Sequence, residues 1–178
     1  TNNAYNDNTW HFIEFVKTAT TSLTLYLDSR KVAEDTTIHV NDPLSDADFS
    51  VGADVSFASS YWNGFIDEVK IYNYAKSTSQ IQTDYVNRGN TDTTSASLGA
   101  QSNAFLSNGL IGYWRMDETS WATDCSTTSI LDSSGNAKNG QACPNASAAA
   151  VGAGKFGNGG IFDNTNDYVE ITSPLLPT

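Results

Sequence analysis

Between Ser22 and Asp28 the chain alternates without a break. Leu23, Leu25 and Leu27 fall on one side of an extended segment, Thr24 and Tyr26 on the other. A helix would scatter these leucines around its circumference, so the pattern predicts a strand with one apolar face and one wet face. Asp28–Lys31 then offers a tight turn, and Lys31–Thr36 returns as the hairpin partner. The same reading predicts a strand over Trp10–Val16, a short one over Phe49–Gly52, and the longest over Trp62–Tyr72. In that longest strand Phe65, Asp67, Val69 and Ile71 are expected on one face, with Ile66, Glu68, Lys70 and Tyr72 on the other. Leu110–Asp117 is a further strand, and Gly160–Phe162 is expected to pair with Tyr168–Ile171 across the turn Asp163–Asp167. One segment reads as a helix: Ser77–Gln80 has the form of a capping box, and Ile81 and Tyr85 lie four apart within Thr78–Asn87. Asn, Ser and Thr make up about a third of the 178 residues, which suits strands joined by hydrogen-bonded turns. Residues 89–108 carry one Asp and a single cation-free polar run, and read as a linker or long surface loop.

Charge narrows the partners. Lys plus Arg is 9 against 20 Asp plus Glu, a formal net charge of −11. A nucleic-acid surface needs a basic footprint, and an anionic bilayer repels such a chain, so neither partner is expected. No apolar run approaches the ~18 residues of a membrane helix, so no membrane insertion is expected and the chain reads as soluble. It begins at Thr1, which suggests a mature form or a piece of something larger. One Met and few Lys give the composition a secreted look, and Cys125 and Cys143, 18 positions apart, are expected to form a disulfide rather than two free thiols.

The run Trp62-Asn63-Gly64-Phe65-Ile66-Asp67-Glu68-Val69-Lys70-Ile71-Tyr72-Asn73-Tyr74-Ala75 resembles the closing strand of the laminin G-like, concanavalin A-like jelly-roll family. Trp10-His11-Phe12 and Leu25-Tyr26-Leu27-Asp28 are similar to its central strands, with Ser29 standing where the family usually has Gly. Gly109–Glu118, Asp132–Gly140, Phe156–Asp163 and Asp167–Ile171 resemble the opening of the same domain. The order is reversed: 1–88 reads as a closing half, 89–108 as a polar linker, and 109–178 as an opening half. The resemblance implies an all-β antiparallel sandwich with one short helix. Three arrangements fit the swapped order: a window across two tandem repeats, a compact permuted domain, or halves completed by neighbouring copies in a head-to-tail filament.

Related folds also host glycan-cleaving enzymes. A retaining glycosidase holds two carboxylates ~5–5.5 Å apart. Asp67-Glu68 and Asp117-Glu118 are adjacent and would point to opposite faces of a strand. His11 and His39 are the only histidines, and there is no Gly-x-Ser-x-Gly elbow, so no catalytic residue is assigned. The resemblance implies a structural Ca2+ instead, with Asp67 from the closing strand and Glu118, Asp132 and Asn136 from the opening half as ligands. The alternative for Asp132 is an Asx-turn, and for Asp163–Asp167 a hairpin turn rather than a calcium loop. Trp62, Tyr61 and Trp121, with Tyr5, lie beside turn residues and are candidate platforms for neutral glycans; an acidic surface repels sulfated ones. Trp10 and Trp114 sit inside strand patterns and are expected in the core. Asn145-Ala146-Ser147 is a formal glycosylation sequon. Together these features predict an extracellular or cell-surface structural and adhesive module, partnered by neighbouring repeats or copies of itself, with carbohydrate binding as the alternative role.

Overall fold

The computed structural model describes residues 5–18, 22–37, 49–54, 60–89, 108–144 and 150–175. His39, Asn145 and the interior of the expected linker, 90–107, lie outside the described residues. The chain divides into two compact units that cut across the sequence-read halves: Thr1–Asn41 with Tyr74–Asn103, and Asp42–Asn73 with Ala104–Thr178.

The first unit holds β1 (Ile13–Thr18), β2 (Ser22–Leu27), β3 (Arg30–Asp35) and the helix α1 (Thr78–Asp84). The strands form one antiparallel sheet in that order, with Phe15 opposite Leu25 and Val16 opposite Thr24. The β2–β3 turn is two residues long, and both Asp28 and Ser29 have positive φ, 47° and 64°. That is the mirror-image turn matching strand twist, and a Ser there costs about 1 kcal/mol relative to Gly. Ser77 caps α1: its hydroxyl accepts from the Gln80 N–H, while Gln80 Oε1 accepts from the Ser77 N–H at 2.9 Å. After Asp84 the chain widens into a π-type turn, Tyr85–Gly89, so the helix is shorter than its pattern implied.

The helix covers the face opposite the leucines, although Leu27 is buried and Leu25 half-buried on the leucine face. Glu14, Val16, Thr24 and Tyr26 share the face that α1 and its flanks contact. Lys76 reaches Glu14 at 3.9 Å, Tyr26 reaches Thr78 at 3.5 Å, and the Phe12 and Tyr85 rings lie 6.1 Å apart. Thr24 is buried, whereas Ile13, Phe15 and Leu23 are 47, 66 and 46 % exposed on the other face. Before the sheet, His11 sits between two carboxylates: Nδ1 is 2.8 Å from Asp28 Oδ2 and Nε2 is 3.1 Å from Asp7 Oδ1. Both partners only accept hydrogen bonds, so the geometry favours the doubly protonated ring. The Asp28 bond, with help from Asp7, holds the His11 pKa above the ordinary imidazole value against the opposing effect of burial.

The second unit contains β4 (Phe49–Val51), β5 (Asn63–Ile66), β6 (Val69–Tyr72), β7 (Leu110–Trp114), β8 (Gln141–Cys143), β9 (Ala150–Ala153), β10 (Asn158–Asp163) and β11 (Tyr168–Ile171). They make sheets ordered β5-β10-β9 and β4-β11-β8 and a two-stranded ribbon β6-β7, all antiparallel. Two expectations are corrected. The long strand Trp62–Tyr72 is broken at Asp67-Glu68, where Glu68 has φ 57°, so β5 pairs with β10 and β6 with β7. A left-handed residue turns the strand out of one sheet and into the next, and the simple face alternation ends there. Nor do Gly160–Phe162 and Tyr168–Ile171 form a hairpin: the Asp163–Asp167 turn is a corner between sheets, closed by Asp167 Oδ2 accepting the Asp163 N–H at 3.0 Å. Phe162, Val169 and Ile171 nevertheless enter one core with Val51, Trp114, Met116, Ile130 and Ala142, which is what a two-layer sandwich requires.

Asp132 ties the start of that sandwich together. Oδ1 accepts the N–H groups of Tyr113 (3.0 Å) and Ser134 (2.8 Å), and Oδ2 accepts the Lys138 N–H (2.9 Å) and the Ser134 hydroxyl (2.8 Å). Burial alone would raise its pKa, but these donors outweigh it and the pKa falls below the ordinary Asp value. Replacing Asp132 with Ala strands several partly buried donors and is expected to cost about 3 kcal/mol in urea unfolding, with Asp132→Asn intermediate because only two acceptor directions survive. For His11, the raised folded pKa means its stabilisation is complete below the unfolded value of ~6.5 and disappears as pH rises through the folded one. The stability gap between the native chain and His11→Gln should therefore be widest in mild acid and close in alkali; a gap that grows with pH would contradict the clasp.

Candidate functional site

The second unit carries a shallow depression of about 260 Å³ lined by Gly52, Asp54, Ser60, Tyr61, Trp62 and Ile66. Two short backbone bonds hold its wall: the Trp62 N–H donates to Gly52 O at 2.7 Å, and the Asn164 N–H donates to Trp62 O at 2.9 Å. Gly52 has φ 92°, and a Cβ there would collide with the Phe162 ring, so the chain can approach the core closely only with glycine. Trp62 remains 43 % exposed, which leaves part of its ring available to a ligand. Tyr61 is half-buried, near enough to Tyr168 to add to the upward push that burial and Glu170 give the Tyr168 hydroxyl. A planar ring beside hydroxyl and carboxylate groups suits a sugar, whose C–H face stacks while its hydroxyls exchange hydrogen bonds. Asp54 and Ser60 were not singled out from sequence, although the turn cluster Ser60–Gly64 was the available signal.

Trp121 does not belong to this platform. It is 9 % exposed, packs in the core cluster and donates Nε1–H to Glu118 Oε2 at 3.0 Å. Turn-like neighbours do not make a side chain exposed, because a segment without regular structure can still lie over a core. Tyr5 is exposed but stands edge-on to His11 in the first unit. Trp114 is fully buried, as its strand pattern implied, and the Cys125–Cys143 disulfide is formed.

The four expected calcium ligands do not make one cradle. Glu118 accepts from Trp121 Nε1 and from the Leu131 N–H (2.9 Å), Asp132 is saturated by backbone donors, and Asn136 donates Nδ2 to Leu110 O and Ile111 O at 3.1 and 3.3 Å. Asp67 Oδ2 accepts the Phe156 N–H at 2.9 Å, and its buried Oδ1 has no hydrogen-bond partner; burial raises its pKa. Among the described residues no three His, Cys, Asp or Glu side chains gather as a cation site. A cation needing six to eight oxygens does not fit this set.

The adjacent acidic pairs are likewise engaged separately. Glu68 Oε2 accepts from Tyr113 Oη at 2.6 Å and Lys70 Nζ at 3.2 Å, while Asp67 turns to the Phe156 backbone. Asp117 pairs with Arg115 at 2.7 Å and accepts the Asn158 N–H at 3.2 Å. Each carboxylate fastens a loop or a strand end. Among the described residues no helix is long and apolar enough to cross a membrane.

Comparison with known proteins agrees with this architecture. No curated protein and no solved structure matches the chain. Residues 1–82 match the family of the concanavalin A-like lectin/glucanases superfamily, laminin G type, and over that stretch, a little under half of the chain, the laminin G-like resemblance is supported.

Proposed function

We propose that the chain is an extracellular, non-catalytic structural and adhesive module of the laminin G-like kind, and that it associates with a second copy through the open face of β1–β2–β3. The carrying observation is that face itself. Ile13, Phe15 and Leu23 stand 47, 66 and 46 % exposed together, while the opposite face of the same sheet is met by α1 and Lys76. Such a patch on one sheet is the kind of surface a second sheet covers in a sandwich. The β3 side of the sheet is lined by Arg30, Lys31, Glu34 and Asp35, which discourages strand addition there and leaves the face as the contact. A copy is the favoured occupant because an apolar sheet face can pack against the same face of a second chain in a two-fold contact that covers Phe15 on both sides. The formed disulfide and the acidic composition fit an extracellular setting.

The second reading, carbohydrate binding, is favoured by the exposed Trp62 ring beside the depression. A net charge of −11 steers it toward neutral rather than sulfated glycans.

Light scattering over a concentration series is expected to reveal self-association that Phe15→Glu abolishes while circular dichroism stays unchanged; a chain monomeric at every concentration would refute the copy contact. On an array of neutral oligosaccharides, a hit weakened about tenfold or more by Trp62→Ala is the outcome that carbohydrate binding requires, and an array without signal removes that reading.

A further inference from the structure

Lys76 is a cation with almost no access to water, its side chain only 7 % exposed. It lies between two carboxylates. Nζ donates to Asp84 Oδ2 and stands 3.9 Å from Glu14 Oε1; those side chains are 18 and 15 % exposed. The sequence sets this arrangement locally. Lys76 immediately precedes the helix cap Ser77, Asp84 is the last residue of α1, and Asp84 follows the fully buried Ile81 by three positions, on the same side of the helix. Glu14 comes from the covered face of β1, one residue pair from the buried Val16. Its Oε2 is buried and has no hydrogen-bond partner. Two carboxylates and one ammonium leave a surplus negative charge where charge is poorly solvated, an arrangement that costs free energy unless a proton is taken up or the charges are removed.

We propose that Lys76 and Asp84 condense into an intramolecular amide, with Glu14 as the acid that assists, so that a covalent bond closes the ends of α1 onto each other. The step opens with transfer of one proton from the Lys76 ammonium to the Asp84 carboxylate, which leaves a neutral amine beside a carboxylic acid. The Nζ lone pair attacks Asp84 Cγ, and a C–N bond forms. The C–OH bond breaks as Glu14 donates its proton to the departing hydroxyl and recovers one from nitrogen. Amine plus carboxylic acid yields amide plus one water, with no change of oxidation state and no further reactant. Holding the amine against the carboxyl replaces a bimolecular encounter by a positioned one, which is what makes an otherwise slow condensation accessible. Burial raises the Glu14 pKa, opposed by the nearby Lys76 and reinforced by Asp84, which moves the group in the direction of the protonated form that the step uses. The inference does not depend on self-association or on sugar binding.

The test is the intact mass of the full chain with its disulfide reduced. The expected value is one water below the sequence mass. Trypsin should fail to cut after Lys76, and fragment ions should place a branch between Lys76 and Asp84. Lys76→Arg keeps the cation but cannot form this bond, and is expected at full mass, as is Glu14→Gln. A native chain at full mass refutes the amide without recourse to any variant. A lost water with normal cleavage after Lys76 also refutes it, because the water then came from another group such as a succinimide. A branch that persists in Glu14→Gln would remove the role given to Glu14.

Discussion

Trp114 is the residue on which the second unit depends. Its backbone pairs with Val69 in the β6–β7 ladder and is bridged on the other side to Asp132. Its ring stacks on Phe49 at 5.9 Å, and its Nε1–H is satisfied by Lys138 O at 2.7 Å. The ring also lies so close over Gly112 that any side chain at that position would collide with it. A large aromatic with its one donor satisfied contributes apolar burial without an unpaired polar atom. Through it, segments far apart in the sequence, Phe49 and Val69 on one side and Asp132 and Lys138 on the other, share one core. The β6–β7 ladder joins strands separated by residues 73–109, since a backbone ladder needs complementary edges and not closeness in the chain.

The acidic character of the chain has a structural use. Asp132 gathers the N–H groups of a turn, Asp124 accepts from Ser126 and Thr127 and is held well below the ordinary carboxylate pKa by those bonds, and Asp28 closes the arm around His11. In a protein with long irregular connections, carboxylates provide acceptors that backbone pairing does not. That use competes with metal binding. An oxygen already accepting two backbone protons has little left for a cation, so Asp132 serves the fold where the family resemblance had suggested a ligand.

The first unit distributes polarity unusually. Its sheet turns a face bearing Glu14, Thr24 and Tyr26 toward a helix whose flank brings Lys76 and Asp84, while Ile13, Phe15 and Leu23 stand exposed on the other face. An apolar surface left open and a charge cluster kept dry are both costly in an isolated domain. The proposed contact with a second copy would relieve the first, and the proposed amide would relieve the second. The two features fit a module used in contact with other molecules and required to keep its shape there.

Local patterns in the sequence were enough to locate the strands of Leu23–Leu27, Leu110–Trp114 and Tyr168–Ile171, the capping box at Ser77 and Gln80, and the all-β class, because period-two alternation and side-chain caps act over a few residues. They were enough to mark Trp62 as exposed and Trp114 as core. They could not show that Trp121 is covered, that Glu68 breaks one strand into two, or that Phe162 and Val169 leave their common turn for different sheets. Those outcomes depend on which distant segment supplies hydrogen-bond partners and which surface lies opposite a side chain. Alternation names two faces of a strand; only the tertiary structure decided that α1 would cover the one bearing Glu14, Val16 and Thr24 and leave Phe15 and Leu23 exposed on the other.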